Sequence, residues 1–599
     1  GWEKSAARLT KKNVSPPSMP QVAGDVVEGL LAVTFTEAAA AEMSTRICAA
    51  LRQISQKETP VGILADVVDV SSDTVGDRAR ALLAVQDRLH ISTLHAFCRG
   101  LLAENPLQAG LHPQLEIDAD NTLIDEAIRE ILEEKLQTAY TGGNRDLLEL
   151  ASAGHGPNAI KTVLATLAQK AVSPAVFQTS PFDEHQRAEI KNDLRAHLDA
   201  FGRAGGKQLT GNKTAALTVE MLAKIDVFLT TAQSTSAKTP AEQMARFCAT
   251  IGELIDPKAL ARLEKWSKGK FIVSESKALK NDKHPLIAAS TALHSTLTQL
   301  STMDPEMLET ARRALADLYT EVQSVLRARG IMSFDGLIKH TVALLQDDPT
   351  LRFRLSAGLD QILVDEFQDT DRFQCALLKS LALDPADENP GEHRPGLFLV
   401  GDPKQSIYGW RNADLAAYEQ FKEAVINAGG EVRALSVNFR SSPPILAEVD
   451  RVLSPIMQEK RGLQPAFQSL DPCPEKAADP GFDHPPHQAV EYWISWDPEA
   501  RDPKARNPKT SANPADTSVA QAAALEAAAL ASDIAALSAR GVPFSDIGIL
   551  FRSTGDLEIY LEALRRHGVP YVVSRDRNYY RRREVIECAA LVRCVVDPN

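Results

Sequence analysis

Cysteine is scarce in this sequence. Only 7 of the 599 residues are cysteine, the number is odd, and no two of them form a CxxC pair. A disulfide scaffold needs dense, paired cysteines, and zinc or iron–sulfur sites need closely spaced ligands. The sequence therefore argues against all three kinds of protein and is typical of a reducing cytoplasm.

Long apolar runs are also missing. No unbroken run approaches the ~18 apolar residues that cross a bilayer, so we expect no membrane partner. The 44% of hydrophobic residues is too high for a disordered chain. At roughly 150 residues per domain the length allows about four domains, each with a core of its own.

An excess of positive charge is absent as well. The chain has 66 Lys and Arg against 79 Asp and Glu, a formal net charge of −13. Binding to nucleic acid depends on Lys and Arg, and the net charge alone disfavours it. Electric fields act locally, however, so a nucleic-acid groove within one domain is not excluded.

Short β-type runs alternate with helical patterns in two zones of the chain. A long segment at about 106–329 separates these zones, and its apolar residues recur at the i, i+3, i+4 spacing of helices. Buried strands joined by helices indicate a parallel α/β sheet. We therefore predict one sheet, interrupted by a helical insertion, with strands at 30–34, 89–92, 361–365, 397–401 and 434–437.

The remainder of the chain predicts a second α/β unit. Residues 471–516 are rich in Pro and Asp and indicate loops, with 490–496 as their one strand-like run. Beyond them we predict a helix at 518–540, a strand at 547–551, a helix at 557–566 and a strand at 571–573.

The strongest motif is ILVDEFQDT, residues 362–370, in which an apolar strand runs directly into Asp365 and Glu366. Carboxylates at the carboxyl end of a parallel strand suit a magnesium nucleotide. Asp365 would bind Mg²⁺, and Glu366 would share the metal or orient the attacking water. The alternative is a strand that ends in a solvated acidic turn.

A second motif is LFLVGDPKQSIYGWRNAD, residues 397–414. Gln405 follows its apolar strand and could contact the γ-phosphate or the attacking water. Tyr408, Trp410 and Arg411 come next, and two aromatic rings beside an arginine suit the stacking of unpaired bases. Core packing is the alternative for a lone tryptophan, but the neighbouring Gly and Pro residues indicate a loop.

With these motifs the sequence resembles the UvrD/Rep-like superfamily 1 DNA helicases. Four further segments are similar to family motifs in the same order: LAVTFTEAAAAEMSTRI at 31–47, ISTLHAFCRGLL at 91–102, LSVNFRSSPPIL at 435–446 and DIGILFRS at 546–553. The GDPKQSIY sequence, the long gap before 362–370 and the phrase EVIECAALVRCVVDP at 584–598 resemble the AddA/RecB-like branch.

The resemblance implies an α/β fold, with a RecA-like P-loop NTPase motor domain that contains a large helical insertion and with the start of a second RecA-like domain. The implied boundaries are 1–105 and 331–440 for the first motor domain, and 106–330 for the insertion. Residues 441–599 would be a partial second domain, with the loop-rich segment and the start of a further insertion.

The resemblance also implies roles for single residues. Thr34, Phe35 and Thr36 would contact single-stranded DNA, and Thr93 and His95 would contact its backbone or link the DNA groove to the ATP site. Phe439 would stack on adenine and Arg440 would reach the γ-phosphate. For a histidine such as His95, a purely structural role is the alternative.

The function implied is that of an ATP-dependent 3′–5′ DNA helicase and translocase in recombinational double-strand break repair. ATP and Mg²⁺ would be its cofactors. Single-stranded DNA, duplex DNA ends and an AddB-like subunit would be its partners, in a bacterial cytoplasm.

A phosphate-binding GxxxxGK[ST] loop is missing. Residues 1–29 do not resemble the family there, and we predict that the nearest match, at 206–214, is a flexible polar loop. The KGLEF-like and VALTRA-like motifs and a nuclease domain are also absent. We expect a motor cut at both ends. The alternative is a module without a P-loop that binds single-stranded DNA or a partner and does not hydrolyse ATP.

Overall fold

The computed structural model describes residues 1–12, 16–58, 71–142, 145–231, 238–279, 284–384, 394–409, 412–460, 462–482, 487–497, 517–574 and 583–596. The chain forms two compact units. Unit 1 contains residues 1–434 and 457–467, and unit 2 contains residues 435–456 and 468–599.

Unit 1 is built on parallel strands. They are β1 (Leu30–Thr34), β2 (His90–Thr93), β3 (Glu116–Asp118), β4 (Ile331–Ser333), β5 (Gln361–Val364) and β6 (Gly396–Leu399). Four of them form one sheet in the order β2-β1-β5-β6, with Val33 opposite both Ser92 and Val364. The chain leaves β1 toward β2 on one side and later returns as β5 on the other side. The carboxyl ends of β1 and β5 therefore flank the point where ligands bind in open α/β sheets.

The helices of unit 1 connect and cover these strands. In chain order they are α1 (Trp2–Lys12), α2 (Met19–Glu28), α3 (Glu37–Ser55), α4 (Ser72–Leu83), α5 (Leu94–Glu104), α6 (Thr122–Gly142), α7 (Arg145–Ser152), α8 (Pro157–Gln169), α9 (Glu184–Arg203), α10 (Lys213–Thr230), α11 (Pro240–Leu254), α12 (Pro257–Ser267), α13 (Val273–Ala278), α14 (His284–Thr302), α15 (Pro305–Arg329), α16 (Phe334–Asp347), α17 (Pro349–Gly358), α18 (Arg372–Ala382) and α19 (Leu415–Asn427).

The core of the four-stranded sheet lies against helices α5, α16, α18 and α19. Helix α5 buries Leu94, Cys98, Leu101 and Leu102, which the i, i+4, i+7, i+8 spacing places on one face. Strand β1 is buried from Leu31 onward. The two central strands, β1 and β5, are nearly continuous apolar runs with mostly buried side chains, which is why the sequence revealed them.

A helical segment separates β2 from β5, as the sequence predicted. It has two cores of its own, one shared by α6, α7, α8 and α15, and one shared by α9, α10, α11, α12 and α14. The short strands β3 and β4 pair with each other at the two ends of this segment. The sequence did not predict this pair, because three-residue strands are too short to show a period.

Residues 206–214, predicted as a flexible polar loop, contain a 3-10 turn at Gly206–Gln208 and the start of helix α10 at Lys213. Gly206 lies against Phe201, where an added Cβ would approach the ring to 2.3 Å. The Asn212 side chain accepts a hydrogen bond from Ala215 N and donates one to Glu275 Oε1, which caps helix α10. The polar residues of this segment therefore begin a helix.

Unit 2 contains β7 (Val437–Asn438), α20 (Pro443–Leu453), β8 (Asp471–Pro472), α21 (Val519–Ala539), α22 (Leu557–Arg566) and α23 (Arg583–Val596). Strands β7 and β8 form a short parallel pair. Helices α21 and α22 share a core that includes Ala531, Ile534 and Leu564.

The predicted strands at 490–496, 547–551 and 571–573 are not strands, and only Val437 of 434–437 belongs to one. Ile547 and Ile549 pack on the core of α21 and α22, whereas Leu550 and Val572 are each 97% exposed. A strand needs a hydrogen-bonded neighbour as well as an apolar face. The sequence pattern showed the face but could not show the neighbour.

Helix α21 is long and apolar enough, by length and composition alone, to cross a membrane. It is Ala-rich and carries Glu526, whose carboxylate accepts a hydrogen bond from Tyr560 of α22. A single helix of this kind is weak evidence for a membrane span, and α21 shares buried side chains with α22 within unit 2.

Candidate functional site

The four strands of the β2-β1-β5-β6 sheet end at one edge, where they bring six of the thirteen predicted site residues together. A cavity of about 470 Å³ lies there. Its lining includes six of the predicted residues, namely Thr34, Phe35, Thr93, His95, Asp365 and Glu366. These residues are up to 332 positions apart in the chain, so the sheet alone brings them together.

The acidic pair follows directly after β5. Asp365 N donates to Val33 O of β1 at 3.0 Å and continues the strand ladder by one residue. Glu366 then adopts φ 53°, in the left-handed region that non-glycine residues seldom use, and its side chain is exposed. Backbone strain of this kind is common at functional sites.

Two carboxylates fit Mg²⁺, which usually keeps several waters and binds only one or two protein carboxylates plus phosphate oxygens. No group of three His, Cys, Asp or Glu side chains within the described residues is placed to hold a metal ion by itself. The donor set of Asp365 and Glu366 therefore suits a metal that arrives with a nucleotide.

The residues present do not supply a phosphate-binding loop in front of β1. Helix α2 ends at Glu28, and Gly29 leads directly into the strand. At the other end of β1, Thr36 begins helix α3. The described part of the chain therefore offers two carboxylates that would suit a magnesium nucleotide, without the glycine-rich turn that would hold the phosphates.

Gln368 connects the two motifs. Its Nε2 donates to Glu366 Oε2 at 2.6 Å, and its Oε1 accepts from Asp402 N at 3.0 Å. The side chain is almost fully buried, and Gly401 lies so close that an added Cβ would sit 2.9 Å from Gln368 Oε1. Sequence reasoning noted Gln368 beside the acidic pair but gave it no role. The two signals that could have identified it are its spacing from Glu366 and the glycine at position 401.

Asp369 lines the same cavity and is only 8% exposed. Its Oδ1 has no hydrogen-bond partner, and burial, together with the nearby charge of Glu366, raises the pKa of Asp369 to about 6. A buried carboxylate in these surroundings is costly when charged. Sequence reasoning did not propose Asp369 as a site residue.

The loop after β6 does not place Gln405 in the lining of the cavity. Gln405 is exposed, and its amide donates to Asp402 Oδ2 at 3.1 Å. Tyr408 of the same loop packs on Phe35, with ring centroids 5.1 Å apart. This contact joins the two aromatic residues that were predicted for DNA from separate motifs. Trp410 and Arg411 lie outside the described residues.

The predicted threonines have structural partners. Thr34 Oγ1 donates to Thr36 O, and the Thr36 hydroxyl accepts from Ala39 N at the start of α3. The Thr93 hydroxyl accepts from Ala96 N, capping α5, and donates to Glu37 Oε1. The hydroxyl groups of Thr36 and Thr93 are therefore helix caps, and that of Thr34 bonds to the backbone of the turn after β1. Direct contacts of the threonines with DNA stay a prediction.

His95 is half-buried, with its ring 4.4 Å from that of Phe334. Burial lowers the pKa of His95, and the charge of Asp335 only partly opposes this effect. Burial therefore favours the neutral form of the imidazole, and contacts of His95 with DNA stay a prediction.

Phe439 and Arg440 belong to unit 2, in the turn after β7. Asn438 Oδ1 accepts from Arg440 N at 2.9 Å and from Ser441 N at 2.7 Å, which fixes the turn. The Phe439 ring is 70% exposed and the Arg440 side chain is exposed. An exposed ring and guanidinium are available to a ligand, and their contacts with a nucleotide stay a prediction.

Comparison with known families agrees with the arrangement of motifs. The model of the UvrD/REP helicase N-terminal domain matches residues 3–426. The chain belongs to the UvrD/REP helicase family. The model of the UvrD-like helicase C-terminal domain matches residues 434–599, so both parts of a UvrD-like helicase are represented.

Relatives of this UvrD-like chain are named as one subunit of an ATP-dependent helicase/nuclease. The protein of Bacillus velezensis is 24% identical over 96% of this chain and 47% of its own length. That of Latilactobacillus sakei is 25% identical over 96% of this chain and 66% of its own length, and that of Ligilactobacillus salivarius is 25% identical over 73% and 36%. The chain thus spans about half the length of several relatives that it matches.

Proposed function

We propose that this protein is an ATP-dependent DNA helicase and translocase that moves 3′ to 5′ along single-stranded DNA. The observation that carries the proposal is the meeting of the acidic pair, Gln368 and the Phe35–Tyr408 pair at one edge of a parallel sheet. Membership of the UvrD/REP helicase family supports it.

The relatives support a more specific role. Their name describes one subunit of a helicase/nuclease, so we propose that a second, AddB-like subunit is the partner and that duplex DNA ends are the substrate. Recombinational repair of double-strand breaks in a bacterial cytoplasm is the matching process. We further propose that both α/β parts are RecA-like, with the first at 1–105 and 331–440, the insertion at 106–330 and the second from 441 to 599.

Each site residue would have its own part in ATP binding or hydrolysis. A bound magnesium nucleotide would supply the phosphoryl group whose hydrolysis drives movement. Asp365 would bind the metal and Glu366 would orient water, while Gln405 would contact the γ-phosphate. Phe439 would stack on the adenine, and Arg440 would stabilise negative charge that develops during hydrolysis.

Gln368 connects the acidic motif to the loop that follows β6. Because its amide bonds to Glu366 on one side and to the backbone of Asp402 on the other, a shift of either loop moves the other. The loop that begins at Asp402 continues to Tyr408 at the aromatic pair. We propose that DNA bases stack on Phe35 and Tyr408, with Trp410 and Arg411 extending the platform.

Single-strand binding tests this proposal directly. We expect Phe35→Ala to weaken the binding of a fluorescein-labelled oligo-dT by about 1–3 kcal/mol, measured by fluorescence anisotropy, because it removes a stacking face. Phe353→Ala is the matched control, since Phe353 is exposed and does not line the cavity. Equal losses in both variants would show that Phe35 is not a base platform.

A second candidate function is single-stranded DNA or partner binding without ATP turnover. It is favoured by the lack of a GxxxxGK[ST] sequence in the 599 residues and by the presence of α2 in front of β1. We expect these residues alone to show little DNA-stimulated hydrolysis.

An ATPase assay on the full gene product separates the two functions. Magnesium-dependent, DNA-stimulated hydrolysis that Glu366→Gln abolishes would support the helicase. DNA binding with no hydrolysis under the same conditions would support the binding module.

A further inference from the structure

Among the described residues of the helical segment at 106–330, Lys170 lines the cavity of the candidate site. Lys170 follows the last residue of α8, and its Nζ donates to Asn412 Oδ1 at 3.1 Å. The same Nζ lies 3.3 Å from Asp335 Oδ2 in the first turn of α16. Lys339 of α16 in turn donates to the backbone carbonyl of Lys170. We call these four residues the Lys170 clasp.

The turn that carries Lys170 is firmly held. The hydroxyl of Tyr319, a fully buried side chain, lies 2.7 Å from Val172 O and 3.0 Å from Leu167 O. Gln323 Nε2 donates to the same hydroxyl at 2.8 Å. These bonds and the ammonium of Lys339 hold the turn that follows α8, where they reach the carbonyl groups of Lys170 and Val172. Lys170 therefore starts from a fixed backbone.

Asn412, the residue of the Lys170 clasp that follows β6, is bonded to the loop that carries Tyr408. Asn412 has φ 69°, in the left-handed region that asparagine tolerates better than most residues. Its N donates to Gly409 O at 3.1 Å, and Ala413 N donates to Tyr408 O at 3.2 Å. These two backbone bonds connect Asn412 and Ala413 to Gly409 and Tyr408, and the Tyr408 ring contacts Phe35.

We propose that Lys170 is a positioning residue that couples the helical segment to the Tyr408–Phe35 pair and thereby sets the affinity for single-stranded DNA. The DNA part rests on the proposed function, whereas the coupling itself does not. Lys170 is 48% exposed, so its ion pair with Asp335 adds little stability. The effect is on the placement of Asn412 and not on the stability of the fold.

Hydrogen exchange measures that placement without any ligand. In Lys170→Met we expect several-fold faster exchange of the amides of Asn412 and Ala413, by mass spectrometry of the peptides that contain them. Lys161→Met is the matched control, because Lys161 lies on α8 and pairs with Asp125 at 3.2 Å. Unchanged exchange of those amides in Lys170→Met, or an equal change in Lys161→Met, would overturn the clasp.

A double-mutant comparison shows whether Asn412 is the partner. Asn412→Gly removes the amide side chain and still accepts a positive φ. We expect Lys170→Met to add no further increase in exchange at Ala413 in the Asn412→Gly background. An increase as large as in the wild type would mean that Lys170 acts through another group, and would overturn the proposal.

The DNA part is tested by anisotropy with oligo-dT. We expect about 2- to 5-fold weaker binding for Lys170→Met and wild-type affinity for Lys161→Met. Unchanged affinity in Lys170→Met, when Phe35→Ala does weaken binding, would overturn the link between the clasp and DNA. A wild-type protein that does not bind DNA at all would refute the proposed function instead, and hydrogen exchange would still decide the coupling.

Discussion

The buried carboxyl group of Asp369 makes the stability of the protein depend on pH. It is buried beside Glu366, one of its oxygens has no partner, and its pKa is raised to about 6. At pH values between the pKa of an unfolded aspartate and about 6, the folded protein binds more protons than the unfolded chain does. The contribution of Asp369 to stability is therefore largest at low pH and is lost as the pH rises through about 6.

We predict that Asp369→Asn stabilises the protein above pH 6. The variant removes a poorly solvated charge and keeps the shape, so at pH 8 it should exceed the wild type by about 1–2 kcal/mol. At pH 5 the difference should be smaller, since the wild-type carboxyl is then largely protonated. Thermal unfolding at both pH values measures this. Asp87→Asn, at an exposed position, is the control; the same pH dependence in both variants would contradict the prediction.

At the scale of elements, helix starts explain several residues that sequence motifs had assigned to ligands. Thr36 caps α3, and Thr93 caps α5 while it also bonds to Glu37 in the first turn of α3. Because the two helices begin at neighbouring strand ends, the Thr93–Glu37 bond ties them together. Thr36 and Thr93 have structural roles and also lie in motifs that were assigned to DNA binding. The motif alone does not show whether such a threonine serves the fold or the ligand.

We predict that Thr93→Val destabilises unit 1 by about 1–2 kcal/mol in urea unfolding, because valine keeps the volume but loses the cap and the bond to Glu37. Thr93→Ser keeps the hydroxyl and should recover most of the loss. If valine and serine variants were equally stable, the hydroxyl would have no structural role, and the predicted contact with DNA would become the better explanation.

The elements of unit 2 show where periodicity misleads. The runs at 547–551 and 571–573 are apolar enough for strands, but their backbones form no ladder among the described residues. Helix patterns were more dependable. The helix predicted at 557–566 was found as Leu557–Arg566, and the one predicted at 518–540 was found as Val519–Ala539. A helix satisfies its hydrogen bonds within its own segment, whereas a strand depends on another part of the chain.

At the scale of the whole molecule, the two units differ in their cores. Among the described residues, the sheet core of unit 1 contains 23 buried side chains, and the core shared by α21 and α22 contains seven, of which three are alanines. Small side chains remove little apolar area from water. The free energy needed to open each core should therefore rise with the apolar area that the core buries.

We predict that amides of β1 and β5 exchange with deuterium at least tenfold more slowly than those of α21 and α22 in the native protein. Peptide-level mass spectrometry over hours measures the difference. The two helices of the α12–α14 pair, which lie in a well-filled core around Trp266, serve as a helical reference. Equal protection of α21 and the sheet would show that the seven side chains stabilise unit 2 more than their area indicates.

The sequence by itself determined the class of the fold, the four parallel strands and the acidic, glutamine-bearing and aromatic motifs at their ends. These features are local, because consecutive residues form a buried strand and the turn after it. The tertiary structure alone decided that Gln368 joins the two motifs, that Asp369 is buried with one carboxylate oxygen unpaired, and that Lys170 reaches Asn412 across 242 positions. Burial and hydrogen bonding depend on what the rest of the chain brings alongside a residue, and no pattern in the surrounding sequence contains that information.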